Sequence, residues 1–200
     1  MMANEPFRQG HLDGLCGLYA IVNALDLLRD GGFSHSEDEA RRVMRALVEA
    51  VPERFPRAIW DGTKVRHIRR MLAAADRFAS KRYKFRIEWS EPFLRRDFDA
   101  PADYLTALRD ELAGGHLAII GLAPPWDHWT LVQNVRDDGL DCVDSIELKH
   151  LPLASLHLRK RAKDKPPEYA EFVLDIHQTF VLKRAEVAKR RAVIPAKAET

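Results

Sequence analysis

The sequence predicts an α+β domain in which N-terminal helices pack on a C-terminal antiparallel sheet. Three observations carry this expectation. Segments with helical spacing of apolar residues fill the first half of the chain. Alternating or continuous β-type runs dominate from residue 116 onward. Two of those runs are joined by Arg136-Asp137-Asp138-Gly139, a good hairpin turn, so the later strands pair antiparallel.

Each element has its own signal. In "LCGLYAIVNALDLLR", Leu18, Ile21, Val22, Leu25 and Leu28 recur at helical spacing, while Leu15, Tyr19, Ala24 and Leu27 widen the apolar face. A helix apolar nearly all round is central and buried, and Gly31-Gly32 end it. "SEDEARRVMRALVEAV" opens with a capping box, Ser36 and Glu39, and reads as a surface helix. "TKVRHIRRMLAAADRF" reads as another, basic on its outer face. "YKFRIEW" alternates Tyr83, Phe85, Ile87 and Trp89 with charged residues, a half-buried strand. "PADYLTALRDELAGG" has proline at its start and glycine at its end, the asymmetry of a helix. "HLAIIGLA", "HWTLVQNV", "LDCVDSI" and "FVLDIHQTFVLK" are the strands of the sheet. The basic stretch 159–168 reads as a mobile loop. One domain is expected over 1–183, followed by a charged, frayed tail over 184–200.

Composition narrows the function classes. The chain has 200 residues, 46% hydrophobic and 31% charged, with a net charge of +2. That is a globular balance with room for one core. The charge is too small to argue for nucleic acid, and the basic runs lack the interleaved aromatics of a nucleic-acid platform. No apolar run reaches the ~20 residues needed to span a bilayer, so no membrane association is expected. The N-terminus has no secretory pattern. Two cysteines, Cys16 and Cys142, do not make a disulfide framework. A cytoplasmic protein is the expectation, or one exported by a dedicated machine without a signal peptide.

The stretch "QGHLDGLCGLYA" places Cys16 at the start of the first helix, between glycines. The positive end of a helix dipole favours a thiolate, and unpaired N–H groups there can donate to an oxyanion. The glycines clear room for a substrate backbone. A thiol nucleophile needs a base, and the base needs an orienting group. His128 opens one strand and Asp144 closes its hairpin partner, so antiparallel pairing makes them neighbours. Cys142 is expected to pack. Trp126 and Trp129 flank His128, either shielding the pair, lining a groove or, for Trp129, packing in the core. His11, Asp13 and Cys16 lack the second ligand pair of a zinc site, so no metal or cofactor is expected.

This set resembles the papain-like cysteine peptidase superfamily. The order cysteine, histidine, acid matches it, "DGLCGLYA" resembles its nucleophile helix, and "HWTLV…LDCVDS" resembles its histidine and acid strands. Gln9 lies close to where such enzymes place the glutamine that completes the oxyanion hole. The double-glycine leader peptidases that process bacteriocin precursors are the nearest branch, since they use an aspartate and are small. The cysteine is followed by Gly17-Leu18-Tyr19, without papain's tryptophan, and residues 31–112 match nothing in the superfamily. The resemblance implies a papain-like fold and a Cys16–His128–Asp144 triad. It also implies Gln9 as oxyanion donor and a peptide or isopeptide bond in a protein as substrate. Two rivals use the same residues: a transglutaminase-like acyltransferase or glutamine deamidase, and a binding module that has lost turnover.

Overall fold

The computed structural model describes residues 6–9, 13–29, 36–159 and 171–187. The sequence readings at His11, Gly31-Gly32, 160–168 and 188–200 lie outside the described residues. Five helices are described: α1 (Cys16–Leu28), α2 (Glu37–Ala50), α3 (Ala58–Asp61), α4 (Val65–Arg82) and α5 (Pro101–Glu111). Seven strands form a single sheet: β1 (Phe85–Ser90), β2 (Leu117–Leu122), β3 (His128–Arg136), β4 (Gly139–Val143), β5 (His150–Pro152), β6 (Leu156–Arg159) and β7 (Phe172–Glu186).

The strand order is β1-β7-β2-β3-β4-β5, with β6 pairing β7 off that path. Every pairing on the path is antiparallel. The exception is β6, which runs parallel to β7, Leu156 opposite Phe172 and Arg159 opposite Asp175. The sheet is therefore mixed, unlike the all-antiparallel expectation. β5 and β6 are only three and four residues long, too short to show a period in the sequence.

The sheet is the middle of three layers. On one face, Ile119, Trp129, Leu131, Phe180 and Leu182 pack with α1, α2 and α4 in one continuous core. On the other, Ala118, Ile120, Val132, Leu140 and Cys142 pack with α5 and the Phe93–Phe98–Tyr104 cluster. The alternation of β2 and β3 across these cores is the two-residue period of a strand buried on both faces. α1 lies against the first face, with Leu18, Ile21 and Leu25 wholly buried. Burial of each such side chain contributes about 1.5–3 kcal/mol, more than the glycines at its start cost in helix propensity.

Two irregularities matter for the site. The β3–β4 register shifts between Val132 and Asn134, leaving Gln133 as an unpaired bulge residue. The β2–β7 register shifts between Ile120 and Gly121. There Gln178 bends toward Gly121, where an added Cβ would stand 2.7 Å from its Oε1. The boundary placed at residue 183 also moves. β7 continues to Glu186, with Arg184, Ala185 and Glu186 opposite Ile87, Arg86 and Phe85. Arg184 rests its guanidinium over the Phe85 ring, so a charged residue serves as part of the strand.

Candidate active site

The site forms where the start of α1 meets the end of the β3–β4 hairpin. Cys16 is the first residue of α1 and is 5% exposed. The backbone N–H of Trp129, the residue after His128, donates to its sulfur at 3.4 Å. Beyond that hydrogen bond, Trp129 belongs to the core, and its indole N–H donates to the carbonyl of Thr63 at 2.9 Å. Trp126 instead stacks on Phe172 and donates to the carbonyl of Glu171.

His128 and Asp144 are both buried, and His128 Nε2 lies 2.8 Å from Asp144 Oδ2. The carboxylate only accepts, so Nε2 carries the proton and donates. Nδ1 is then the ring nitrogen left without a proton, and Cys16 lies close enough to His128 to raise its pKa. Burial pushes the imidazole down, but the hydrogen bonds and charges of Asp144 and Cys16 outweigh it and hold its pKa up at about 9. Burial likewise opposes ionisation of Asp144. The His128 hydrogen bond and charge, with the Ile146 N–H at 2.7 Å, keep it below the usual carboxylate range. The Thr130 hydroxyl reaches toward Asp144 and Cys142 without closing a well-formed hydrogen bond to either.

The hairpin supplies this pairing through its bulge. Leu131 stands opposite Val143, which sets Asp144 level with Thr130 and on the sheet face that His128 shares. Gln133 is exposed in the bulge, and the Asp141 carboxylate is held by Arg136 at 2.9 Å and His150 at 3.1 Å.

Gln9 joins the same neighbourhood by an anchored segment. The buried Asn23 side chain of α1 accepts from Phe7 N–H at 2.8 Å and donates to the Phe7 carbonyl at 3.2 Å. Gln9 N–H donates to the carbonyl of Ser145, and the Ser145 hydroxyl donates to Gln9 Oε1, each at 3.1 Å. The Gln9 amide donates to the carbonyl of Asp13 at 3.1 Å, three residues before Cys16. Residues 7–9 therefore tie the Asp144-Ser145 turn to the loop before α1. Asn23 and Ser145 carried no role in the sequence reading, since their partners are distant in the chain.

The glycines around Cys16 have a different use from the one expected. A Cβ on Gly17 would stand 2.4 Å from Thr63 Oγ1 and 2.7 Å from Ile68 Cδ1. A Cβ on Gly14 would stand 2.9 Å from the backbone nitrogen of Gly62. The room they leave is filled by the segment after α3 and by α4, so they serve packing of the chain on itself rather than a substrate backbone. Two clefts of about 500 Å³ flank the site. One includes Arg8, Gln133, Asp144 and Glu147. The other includes Thr63, Lys64, His128 and Gln178.

Cys142 is buried among apolar residues of the second core, and burial pushes its thiol up to about 12. Among the described residues no group of three or more His, Cys, Asp or Glu side chains could hold a metal ion. No helix among them is long and apolar enough to cross a membrane.

No family model and no curated protein sequence matches this chain. Among solved structures, the fold is similar to the crystal structure of a double glycine motif protease from an AMS/PCAT transporter in complex with the leader peptide. The match covers 92% of this chain and 94% of that one, at 10% identity and a TM-score of 0.46. So loose a match leaves the site to be read from its own geometry.

Proposed function

We propose that this protein is a cysteine peptidase-like thiol hydrolase acting on a peptide or isopeptide bond of a protein substrate. One observation supports it above the rest. A buried histidine is held by a buried aspartate through one ring nitrogen, and a cysteine at the first position of a helix lies close enough to raise its pKa. A structural cysteine needs none of these partners, whereas a nucleophile with base and orienter needs all of them.

In this reading His128 takes the thiol proton of Cys16 and, with its pKa held at about 9, keeps it as imidazolium at neutral pH. The sulfur attacks the carbonyl carbon, and the carbonyl π electrons move onto oxygen. Among the described residues the Cys16 N–H has no acceptor, because it stands in the first turn of α1. That N–H and the second N–H of the Gln9 amide are the donors offered to the oxyanion. His128 gives its proton to the leaving amine as the C–N bond breaks. Water then attacks the thioester, His128 takes the water proton, and the C–S bond breaks. Asp144 fixes the ring and stabilises its charged form.

A complex peptide mixture prepared from a proteome supplies the test. Incubated with the purified protein and read by mass spectrometry for new termini, it is cut by the native chain and left uncut by Cys16→Ala. Equal cutting by both proteins, or none by the native chain over a range of pH, removes the reading.

A further inference from the structure

The cleft on the His128 side is unevenly charged. Its volume is about 490 Å³, and its wall carries Lys64, Arg66, Arg69 and one carboxylate, Asp127. Arg69 is already spent, both nitrogens of its fork bound to Glu91 at 2.8 and 2.7 Å. Lys64 and Arg66 are exposed, and among the described residues neither meets a carboxylate.

The surroundings of Arg66 are short of acceptors. Its Nε lies 3.1 Å from His67 Nε2, and the backbone N–H of Lys64 lies 3.0 Å from His67 Nδ1. Burial and the Arg66 charge push the His67 pKa down, so the ring is neutral. A neutral imidazole has one N–H and one lone pair. Three N–H donors therefore share a single acceptor, and either tautomer leaves one donor facing another. A carboxylate placed at the guanidinium supplies the missing acceptor, and guanidinium forks bind carboxylates in paired hydrogen bonds.

We propose that this cleft receives an acidic residue of the substrate, close to the bond attacked, with Lys64 and Arg66 binding its carboxylate. The proposal rests on the thiol hydrolase reading, which makes the cleft beside His128 part of the substrate path. Asp127 in the same cleft sets the limit, because a substrate segment acidic throughout would meet its charge.

Electrophilic peptides test the cleft without requiring hydrolysis. Peptidyl chloromethyl ketones and chloroacetyl peptides approach Cys16 from opposite sides of the bond. In both, the sulfur displaces chloride and forms one C–S bond. Each series carries a single Glu, or Gln as its neutral match, at successive positions. The native protein is expected to react about 3–10-fold faster with Glu than with Gln at one position, the yield of one or two exposed ion pairs. That ratio falls to one or below in Lys64→Gln/Arg66→Gln and inverts in Lys64→Glu/Arg66→Glu. Because the ratio is taken within each protein, a change in overall reactivity does not affect it. Rapid labelling with no Glu preference, or a preference that survives both double variants, overturns the acidic cleft and leaves the thiol chemistry standing. Labelling of Cys16 no faster than that of Cys142 overturns the thiol reading, and the cleft proposal with it.

Discussion

Cys16 and Cys142 are almost equally buried, at 5% and 7% exposure, yet they sit in different chemistry. Cys142 lies mid-strand in an apolar core with the Leu140 carbonyl at 3.9 Å, and burial pushes its thiol up to about 12. Cys16 lies where a helix begins, with a backbone N–H on its sulfur and a buried imidazole beside it. Burial alone therefore does not separate a packing thiol from the proposed nucleophile. What separates them is whether polar partners have been carried into the same dry space, where each interaction is stronger than in water.

The sharpest way to break this contrast is to remove the imidazole. In His128→Ala, alkylation of Cys16 by iodoacetamide at pH 7 is expected to fall at least about tenfold, toward the rate of Cys142, since reactivity follows thiolate formation and access. Mass-spectrometric counting at each cysteine measures both thiols in one sample. Rapid labelling of Cys16 that ignores the substitution would show that the two cysteines differ only in access.

A subtler loss is expected at Gln9. In Gln9→Ala, kcat on a cleaved peptide should drop by roughly 10²–10³, the cost of one oxyanion donor, with little change in KM. Alkylation of Cys16 should be untouched, because displacement of iodide builds no oxyanion. An unchanged kcat would assign residues 7–9 to packing alone.

Asp144→Asn should cost less still, because an asparagine can hold the ring while stabilising its charge less. The sign follows from the raised pKa. His128 is held at about 9, above its ordinary 6.5, so the favourable pairing is complete below about pH 6.5 and is lost as pH rises through about 9. The basic limb of kcat/KM should therefore stand near pH 9 in the native protein and move to lower pH in Asp144→Asn. The melting temperature should fall across the same window in the native protein and more shallowly in the variant. A limb that stays in place would make another group the one that charges His128.

Much of this arrangement was legible in the sequence because its signals are local. The apolar face of α1, the capping box of α2 and the alternation of β1 each lie within one segment, and α2 does carry the Ser36–Glu39 cap. The hairpin turn placed His128 and Asp144 at matching ends of their strands. What escaped depends on contacts between distant segments. Gly17 is silent about whether its open side faces substrate or Thr63 and Ile68, because those neighbours are more than forty residues away. Ser145 carries no local sign of a role, since its partner Gln9 lies 136 residues away. Residues 184–186 looked like the start of a charged tail, since nothing local says that β1 will pair with them.

The bulge at Gln133 gives the hairpin an arithmetic. Across the two-residue turn at Asp137-Asp138, paired positions sum to an odd number, as with Arg136 and Gly139, and beyond the bulge they sum to an even one, as with Leu131 and Val143. His128 and Asp144 also sum to an even number, so they project to one side only because one residue is left over between them. Drawing Gln133 into the ladder opposite Cys142 would carry odd pairing to the end of the strands and send the imidazole and the carboxylate to opposite sides of the sheet, with every residue of the pair still present. Length is thus free at the turn, where added residues loop out, whereas the register beyond the bulge is not. A neutral-looking exposed glutamine is in this sense a counting device, and what matters is that it stays out of the ladder.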